Sequence, residues 1–310
     1  MTVSSSIVIC AYTHQRWTSL RAAVASAWRQ DPVPEEVILV VDHNPPLQRR
    51  AEAELTSAYV VGNTGPRGLS GARNTGVAAA DGDVVVFLDD DATARDGWLA
   101  SLLAPYDDPA VAGVGGRADP LWPASGARPA WWPPEFDWVV GCSYQGLPEA
   151  RSPVRNLMGC NMSFRRDVFS QVGAFTHGIG RASTSARPLG CEETDLCIRV
   201  RQTWPDAQLL YEPDALVSHR VDPARVRWRY FHSRCAAEGR SKAIVSRRHG
   251  AAAALHSERA HVRGAIVDGL RRDLNAMFRQ RDFDGARRAF SSLYGLSAAS
   301  AGYLSGRVQR

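Results

Sequence analysis

The chain has 310 residues, 45% of them hydrophobic and 22% charged, and its formal net charge at pH 7 is +5. These proportions are those of a folded protein and exclude a disordered chain. No apolar run approaches the roughly 18 residues needed to cross a bilayer. Residues 1–6 carry no basic side chain and the apolar run after them is short, which is not the pattern of a signal peptide. Composition therefore predicts a cytoplasmic protein, or one that is peripheral at the inner membrane face.

The six cysteines form no Cys-x-x-Cys pair, and several of them lie in apolar surroundings. This pattern favours reduced thiols over a disulfide framework or a zinc site. The cysteines are Cys10, Cys142, Cys160, Cys191, Cys197 and Cys235.

Charge is unevenly distributed along the chain. Residues 225–310 contain 18 Lys and Arg against 6 Asp and Glu, a net charge of +12, whereas the rest of the chain has a net charge of −7. A basic tail favours an anionic ligand or an anionic surface, such as a membrane, as its partner. Nucleic acid is disfavoured as a partner, because the sequence shows no zinc-finger spacing, RNP motif or basic region followed by heptads.

Strand patterns alternate with helical patterns over about residues 5–105. Turn residues such as Asp31-Pro32 separate them. This alternation predicts a parallel sheet with right-handed crossovers, and hence an α/β fold. The predicted elements in chain order are strand 6–11, helix 18–30, strand 36–41, helix 47–58, strand 59–61, helix 71–80 and strand 84–88.

The pattern changes in the middle of the chain. Residues 120–138 hold four Trp and five Pro, which excludes a helix and predicts a functional loop. Residues 159–175 predict a strand followed by a short helix. Residues 178–190 are rich in Gly, Ser and Arg and predict a flexible loop.

Helical patterns dominate the remainder. They cover residues 191–203 and nearly all of the chain beyond residue 225. We therefore expect a main domain over residues 1–235 and a basic helical extension over residues 236–310.

Three consecutive aspartates, Asp89, Asp90 and Asp91, end the apolar run 84–88. Carboxylates at the carboxyl end of a buried strand lie where open α/β sheets bind their ligands. Three adjacent carboxylates repel one another unless a cation is present, and their oxygens favour Mg2+ or Mn2+. The alternative is a solvated acidic turn before a helix that starts near Asp96, with Asp as its cap.

Asp42 also follows a buried strand, so its carboxylate is expected at the same edge of the sheet. Two such strand ends suit a nucleotide, with one carboxylate at the base or ribose and the other at a metal. Alone, Asp42 is more typical of a cap. Residues 65–76 are Gly-rich and carry Arg73 at a helix start, an arrangement that either binds a diphosphate or simply connects two elements.

A second acidic set, Glu192, Glu193 and Asp195, opens a helix directly after the Gly-rich loop. These side chains either stabilise the helix start through its dipole or supply a general base. His219 ends the apolar run 215–218. A lone His is usually structural, but at a strand end it is also a candidate third protein ligand of a metal.

Taken in order, these motifs resemble those of the family 2 glycosyltransferases. The resemblance spans about residues 5–235 and implies a GT-A fold, an inverting reaction and a nucleotide-diphosphate sugar donor. The matching elements are Asp42, Gly-Ala-Arg-Asn-x-Gly at 71–76, Phe-Leu-Asp-Asp-Asp at 87–91, Gly-x-Asn-Met-x-Phe-Arg-Arg at 159–166, Glu-Glu-x-Asp-Leu-Cys-x-Arg at 192–199 and Val-x-His at 217–219.

The resemblance also implies roles for individual residues. Asp89 and Asp91 would form the family's Asp-x-Asp motif, with Asp91 binding Mn2+ or Mg2+ and His219 completing the metal shell. Asp42 would contact the nucleoside, and Arg73 would lie near the donor. The full set of implied donor-binding residues is Ala11, Tyr12, Arg16, Asp42, Arg73, Asn74, Asp89 and Asp90.

The catalytic pair departs from the family's usual Glu-Asp, because this chain has Glu192-Glu193. Members that resemble glucuronosyltransferases acting on lipid-linked sugars share Glu-Glu. The resemblance thus implies that Glu193 is the base that takes the acceptor's proton, with Glu192 and Asp195 as alternatives.

The acceptor side is expected at Trp131, Trp132 and Asn161. Tryptophan rings stack on the C–H faces of sugars, although packing beneath a Pro-rich loop explains the two tryptophans equally well. The acceptor itself is left open and is a lipid-linked sugar, a glycan or a small molecule.

Two rival functions use similar features. A nucleotidyltransferase also combines a Rossmann-like half with acidic metal ligands, but it usually has a Gly-rich signature containing Lys or Arg after the first strand, where this chain has residues 11–16, Ala-Tyr-Thr-His-Gln-Arg. A non-catalytic sugar-binding protein on the same scaffold is disfavoured by the intact acidic set.

Overall fold

The structure, a computed structural model, describes residues 3–123, 126–179 and 189–308. Most of the loop predicted over residues 178–190 lies outside the described residues. Within the described part, nine strands form one mixed sheet. The strands are β1 (Ser5–Ala11), β2 (Glu36–Val41), β3 (Tyr59–Gly62), β4 (Val84–Asp89), β5 (Ala92–Ala94), β6 (Val111–Leu121), β7 (Ser152–Pro153), β8 (Asn161–Arg165) and β9 (Gln208–Arg220).

Strands β3, β2, β1 and β4 are adjacent in that order and parallel. The apolar residues of β1, β2 and β4 are buried on both faces of the sheet, since Ile7 and Ile9 of β1 pack into one hydrophobic cluster and Val8 into another. The prediction of a parallel α/β arrangement is confirmed for these four strands. The helices between them are α1 (Trp17–Trp28), α2 (Pro45–Glu54) and α3 (Leu69–Ala79).

The rest of the sheet includes antiparallel pairs, which the sequence pattern did not reveal. Strand β8 runs antiparallel beside β4, with Asn161 opposite Leu88, and β6 pairs with the other edge of β8. Strands β9 and β5 follow, with Ala92 opposite His219. Because Ala92 directly follows Asp91 in the chain, this register brings His219 to the aspartates at the end of β4.

Two local expectations were wrong. The helix expected near Asp96 begins at Trp98 (α4, Trp98–Leu103), and its N-cap is Gly97, in the left-handed region with a φ of 77°, instead of an aspartate. The segment 120–138, expected to contain no helix, includes the first turn of a 3-10 helix, Pro134–Val140. Proline is tolerated there because the first N–H groups of a helix have no intrahelical partner.

The described residues divide into two compact units that interleave along the chain. The first unit comprises residues 3–119, 148–179 and 192–219, and it includes α5 (Asp167–Gln171) and α6 (Glu192–Thr203). The second unit comprises residues 120–123, 126–147, 189–191 and 220–308. The boundary between residues 235 and 236 stays a prediction.

The second unit is mainly helical. An aromatic cluster that includes Trp132, Phe136 and Phe231 forms its core. Helix α10 lies close against α7. The closeness is evident at Gly302, where an added Cβ atom would come within 2.1 Å of the carbonyl oxygen of Ala236. None of the described helices is long and apolar enough to cross a membrane. The helices of this unit are α7 (Trp228–His249), α8 (Ala251–His261), α9 (Val267–Gln280) and α10 (Phe283–Val308).

Candidate functional site

The three aspartates occupy the short connection between β4 and β5. The side chain of Asp89 is 31% exposed, whereas those of Asp90 and Asp91 are buried. Strand β5 holds them there, since it pairs with β9 directly after Asp91. A solvated acidic turn is therefore excluded for Asp90 and Asp91. The structure instead concentrates carboxylate oxygens at the carboxyl end of the parallel strands.

Asp89, Asp91 and the buried His219 form a cluster whose potential ligand atoms all lie within 4.8 Å of one another. The Nε2 atom of His219 is 3.2 Å from Oδ1 of Asp91 and 3.9 Å from Oδ2 of Asp89. Mg2+ and similar ions bind oxygen at about 2.1 Å, so two ligands of one ion lie about 3 to 4 Å apart. Two carboxylates and one imidazole with this spacing fit Mn2+ or Mg2+.

Arg16 partly neutralises the buried aspartates. Its Nη1 atom is 2.7 Å from Oδ1 of Asp90 and 3.1 Å from Oδ2 of Asp91, and its guanidinium lies over the ring of Tyr12. Burial raises the pKa of the Asp90 carboxyl to about 7, despite the opposing charge of Arg16. Tyr12 and Arg16, implied as donor-binding residues, thus lie at the aspartates, next to the end of β1 at Ala11.

Arg73 of α3 connects the strand-end aspartates to the second acidic set. Its guanidinium donates to Oε1 of Glu192 at 2.8 Å and to the carbonyl oxygen of Gly159 at 2.8 Å, and it is 3.8 Å from Asp89. Burial lowers the pKa of Arg73, but the charges of Glu192 and Asp89 outweigh burial and raise it above its ordinary value. Arg73 is therefore a permanent cation between two carboxylates.

Helix α6 begins with the predicted catalytic set. Asp195 is buried and accepts hydrogen bonds from the hydroxyl of Thr176 at 2.7 Å and from Nε of Arg199 at 3.0 Å. Glu192 is also buried and paired with an arginine, whereas Glu193 is half-buried. Of the three carboxylates, Glu193 is the most accessible to a substrate.

Asp42 lies just beyond the end of β2, where three groups approach its carboxylate. The backbone N–H of Gly68 donates to Oδ2 at 3.0 Å, the amide of Asn63 donates to Oδ1 at 2.6 Å, and Nδ1 of His43 is 2.8 Å from Oδ1. Sequence reasoning missed Asn63, although its position directly after β3 gave the same strand-end signal as Asp42.

Other predicted residues have side chains with clear structural roles. The amide of Asn74 donates to the carbonyl oxygen of Phe175 at 2.9 Å and accepts from its backbone N–H at 2.8 Å. Asn161 is buried in the sheet, where it donates to two backbone carbonyls and accepts from Nε1 of Trp98. Their expected roles in binding donor and acceptor stay predictions.

The two predicted acceptor tryptophans belong to the second unit. Trp132 is fully buried and Trp131 half-buried, with ring centroids 5.2 Å apart, and both rings contact Phe231. These contacts establish packing for both residues, and the expected acceptor role stays a prediction.

Comparison with known sequences identifies related enzymes. The chain is 33% identical over 244 residues to glucosyl-dolichyl phosphate glucuronosyltransferase of Haloferax volcanii, a match that covers 77% of this chain and 76% of that protein. It is 34% identical over 187 residues to pre-mycofactocin glycosyltransferase of Mycobacterium tuberculosis, which covers 59% of this chain and 36% of that protein.

Solved structures share the fold. A mannosyltransferase from Pyrobaculum calidifontis in complex with GDP-Man and Mn2+ aligns with a TM-score of 0.61 at 17% identity, over 98% of this chain and 88% of that one. GalNAc-T7 with UDP, GalNAc and Mn2+ aligns with a TM-score of 0.53 at 19% identity, over 71% and 44% of the two chains. The GT-A fold implied by the sequence is thereby confirmed. Residues 6–173 match glycosyl transferase family 2, and the chain belongs to that family as a glycosyltransferase.

Proposed function

We propose that this enzyme transfers a sugar from a nucleoside-diphosphate sugar to an acceptor hydroxyl, with inversion at the anomeric carbon and with the help of a divalent cation. The observation that carries the proposal is the Asp89, Asp91 and His219 cluster at the carboxyl end of the parallel strands. This edge of an α/β sheet is where nucleotides bind.

The residues of the cluster would hold the cation. Asp89, Asp91 and His219 supply two anionic oxygens and one imidazole nitrogen, which leaves coordination positions for diphosphate oxygens. Bound there, Mn2+ or Mg2+ supplies positive charge to the leaving diphosphate. Arg73 and Arg16 add permanent positive charge beside the same carboxylates.

The nucleoside end of the donor is assigned to Asp42. The hydrogen bonds from Asn63 and from the backbone of Gly68 fix the orientation of its carboxylate. Tyr12, beside the end of β1, is 46% exposed and offers a ring on which a base can stack.

Glu193 is assigned the role of general base. Glu192 and Asp195 are buried and each accepts a hydrogen bond from an arginine, whereas Glu193 is only half-buried and is more accessible to an acceptor hydroxyl. In the reaction, the acceptor oxygen forms a bond to the anomeric carbon from the face opposite the diphosphate. The bond from carbon to diphosphate oxygen breaks, and the acceptor's proton passes to Glu193.

The acceptor class is proposed from the relative in Haloferax volcanii, whose name specifies glucuronosyl transfer to glucosyl-dolichyl phosphate. The Glu192-Glu193 pair is also the variant of the catalytic motif that, by the family resemblance, is shared with glucuronosyltransferases acting on lipid-linked sugars. We assign to this enzyme a lipid-linked sugar phosphate as acceptor and a uronic acid as the transferred sugar. Such an acceptor requires the enzyme to work at a membrane face.

A donor screen tests the proposal. The purified protein is incubated with individual nucleotide sugars, a lipid-linked sugar phosphate as acceptor and Mn2+, and released nucleoside diphosphate is measured with and without excess EDTA. We expect release from one class of donor, and none with EDTA. The proton NMR coupling of the anomeric hydrogen in the product then reports whether the configuration of the donor is inverted. Release of pyrophosphate would instead indicate a nucleotidyltransferase, and no turnover with any donor would favour a sugar-binding protein.

A further inference from the structure

Helix α10 presents an apolar face to solvent. Phe283 is 76% exposed, Phe290 61%, Leu293 55% and Leu304 65%. At 3.6 residues per turn, the spacing of these four residues places them within one stripe of the helix. The opposite side is buried, with Gly302 packed against α7. Nine of the twelve large hydrophobic residues that are exposed in the described structure belong to the second unit. Exposed apolar surface is therefore concentrated in that unit.

Aromatic contacts extend this face onto the start of α7. Trp228 is 36% exposed and stacks on Phe290, with ring centroids 5.9 Å apart and an interplanar angle of 15°. Its ring centroid is also 4.8 Å from that of Tyr294. Tryptophan and tyrosine at the edge of an apolar surface are typical of a boundary between hydrocarbon and water.

Exposed arginines adjoin two of the aromatic residues of this face in the sequence. Arg227 and Arg229 flank Trp228, whereas Arg279 and Arg281 precede Phe283 at the turn between α9 and α10. All four are exposed, and none of them forms an ion pair with another described residue. Their charge is therefore available to an external partner.

We propose that this surface binds the anionic face of a lipid bilayer. We define the aromatic–arginine face as Trp228, Phe283, Phe290, Leu293 and Tyr294 with Arg227, Arg229, Arg279 and Arg281. The apolar side chains enter the boundary between headgroups and acyl chains, and the arginines contact lipid phosphates. The proposal gives the proposed function, transfer to a lipid-linked acceptor, a means of membrane contact.

Charge complementarity selects an anionic bilayer as the occupant. A second copy of the chain would bring two segments with a net charge of +12 each against one another, which opposes association. Nucleic acid would satisfy the arginines but would leave Phe283, Leu293 and the end of α10 in water. An anionic bilayer satisfies both the charged and the apolar parts of the surface.

Vesicle binding tests the proposal without any sugar substrate, so its outcome is independent of the proposed reaction. The full-length protein is mixed with sucrose-loaded phosphatidylcholine vesicles, either pure or with about one third phosphatidylglycerol, and the sedimented fraction is measured at low and high salt. We expect binding to the anionic vesicles that weakens with salt, because salt screens the arginines, and much weaker binding to the neutral ones.

Paired variants separate the two contributions. Phe283→Ser with Phe290→Ser should weaken partitioning about tenfold or more on anionic vesicles, through lost apolar burial. Arg279→Glu with Arg281→Glu should weaken it about thirtyfold on anionic vesicles and leave neutral vesicles unaffected. None of these side chains belongs to the candidate site, so donor turnover without membranes should be unchanged.

Matched controls are available on the first unit. Val33 and Tyr59 are 64% and 59% exposed, and Val33→Ser with Tyr59→Ser should leave vesicle binding unchanged. Arg21 and Arg29 are exposed, and Arg21→Glu with Arg29→Glu serves as the charge control.

Three results would overturn the proposal. The first is no sedimentation of the wild-type protein with anionic vesicles at low salt. The second is an equal loss of vesicle binding in the control variants, which would mean that the protein is attracted to vesicles by its overall charge and not by the aromatic–arginine face. The third is a wild-type protein that binds no vesicles but dimerises with increasing concentration, measured by analytical ultracentrifugation, where the Phe283 and Phe290 substitutions abolish the dimer. That result would assign the aromatic–arginine face to a second copy of the chain.

Discussion

Buried carboxylates occur in both units, but arginines neutralise them to different extents. In the first unit, three buried carboxylates, those of Asp90, Asp91 and Glu192, lie around two arginines, Arg16 and Arg73, and the partly exposed Asp89 lies beside Arg73. In the second unit, two buried carboxylates meet two arginines. Arg272 binds Glu135 at 2.9 Å and Asp273 at 3.2 Å, whereas Arg288 binds Asp273 and the partly exposed Asp282, each at 3.0 Å.

The difference separates a binding site from a structural network. A buried charge that has its counterion within the protein needs no ligand, and its loss affects stability alone. A cluster with more buried carboxylates than arginines carries an excess of negative charge, and a bound cation relieves the repulsion. The comparison predicts that substitutions in the first cluster act on turnover and those in the second on stability.

Asp91→Asn should have the largest effect on turnover. It removes one anionic ligand and keeps the shape of the side chain, so kcat/KM should fall by about four orders of magnitude. Addition of Mn2+ should no longer raise the melting temperature. Without metal, the variant should be at least as stable as the wild type, because one of four repelling carboxylates is gone. Thermal shift and donor turnover measure both, and full wild-type activity in excess EDTA would contradict the metal assignment.

Glu193→Gln should lower kcat by about a thousandfold while donor affinity persists, because the amide keeps the shape but accepts no proton. Glu192→Gln and Asp195→Asn are the controls. Their arginine partners make them positioning residues, so each should alter turnover less than Glu193→Gln. Calorimetry gives donor affinity and a steady-state assay gives kcat. If Glu193→Gln is nearly as active as the wild type and Asp195→Asn is inactive, the base is Asp195.

Local signals predicted most of the first unit. Buried apolar runs predicted β1, β2 and β4, and β2 was predicted at its observed bounds, Glu36–Val41. Asp89 and Asp91 were recognisable because a strand end needs no tertiary information to be located. The three residues that the family resemblance implies as metal ligands lie in one cluster, and their role as ligands stays a prediction.

Long-range pairing was not predictable from these patterns. The antiparallel pairs of the sheet depend on which strands become neighbours, and an alternating pattern does not specify those partners. Arg73 was expected near the donor, but its bond to Glu192 joins residues 119 positions apart. Asn63 was missed because an amide at a strand end is common in turns, and only the fold brings it to Asp42.

Trp132→Ala tests whether the aromatic cluster of the second unit is structural. Trp132 is fully buried and contacts the rings of Trp122, Trp131 and Phe231. Its truncation to Ala should therefore lower the free energy of unfolding by about 3 kcal/mol. Donor KM should not change. Denaturant unfolding and steady-state kinetics are the measurements. An acceptor KM that rises in a variant of unchanged stability would favour the acceptor role over packing.

Asp273→Asn should have the smallest of these effects and sharpens the comparison most directly. Asp273 is 1% exposed and pairs with both Arg272 and Arg288, so loss of its charge leaves Arg272 with Glu135 alone and Arg288 with the partly exposed Asp282 alone. Because both arginines reach solvent, we expect a loss of about 2 kcal/mol in the free energy of unfolding, below the usual cost of breaking a fully buried pair. Asp268→Asn is the matched control, since that side chain is 72% exposed and pairs with Arg271 at the surface, where a salt bridge contributes little. Denaturant unfolding gives both values, and kcat should be unchanged in both variants. A fall in kcat with Asp273→Asn at unchanged stability would mean that the balanced network also serves catalysis, and the distinction between the two clusters would fail.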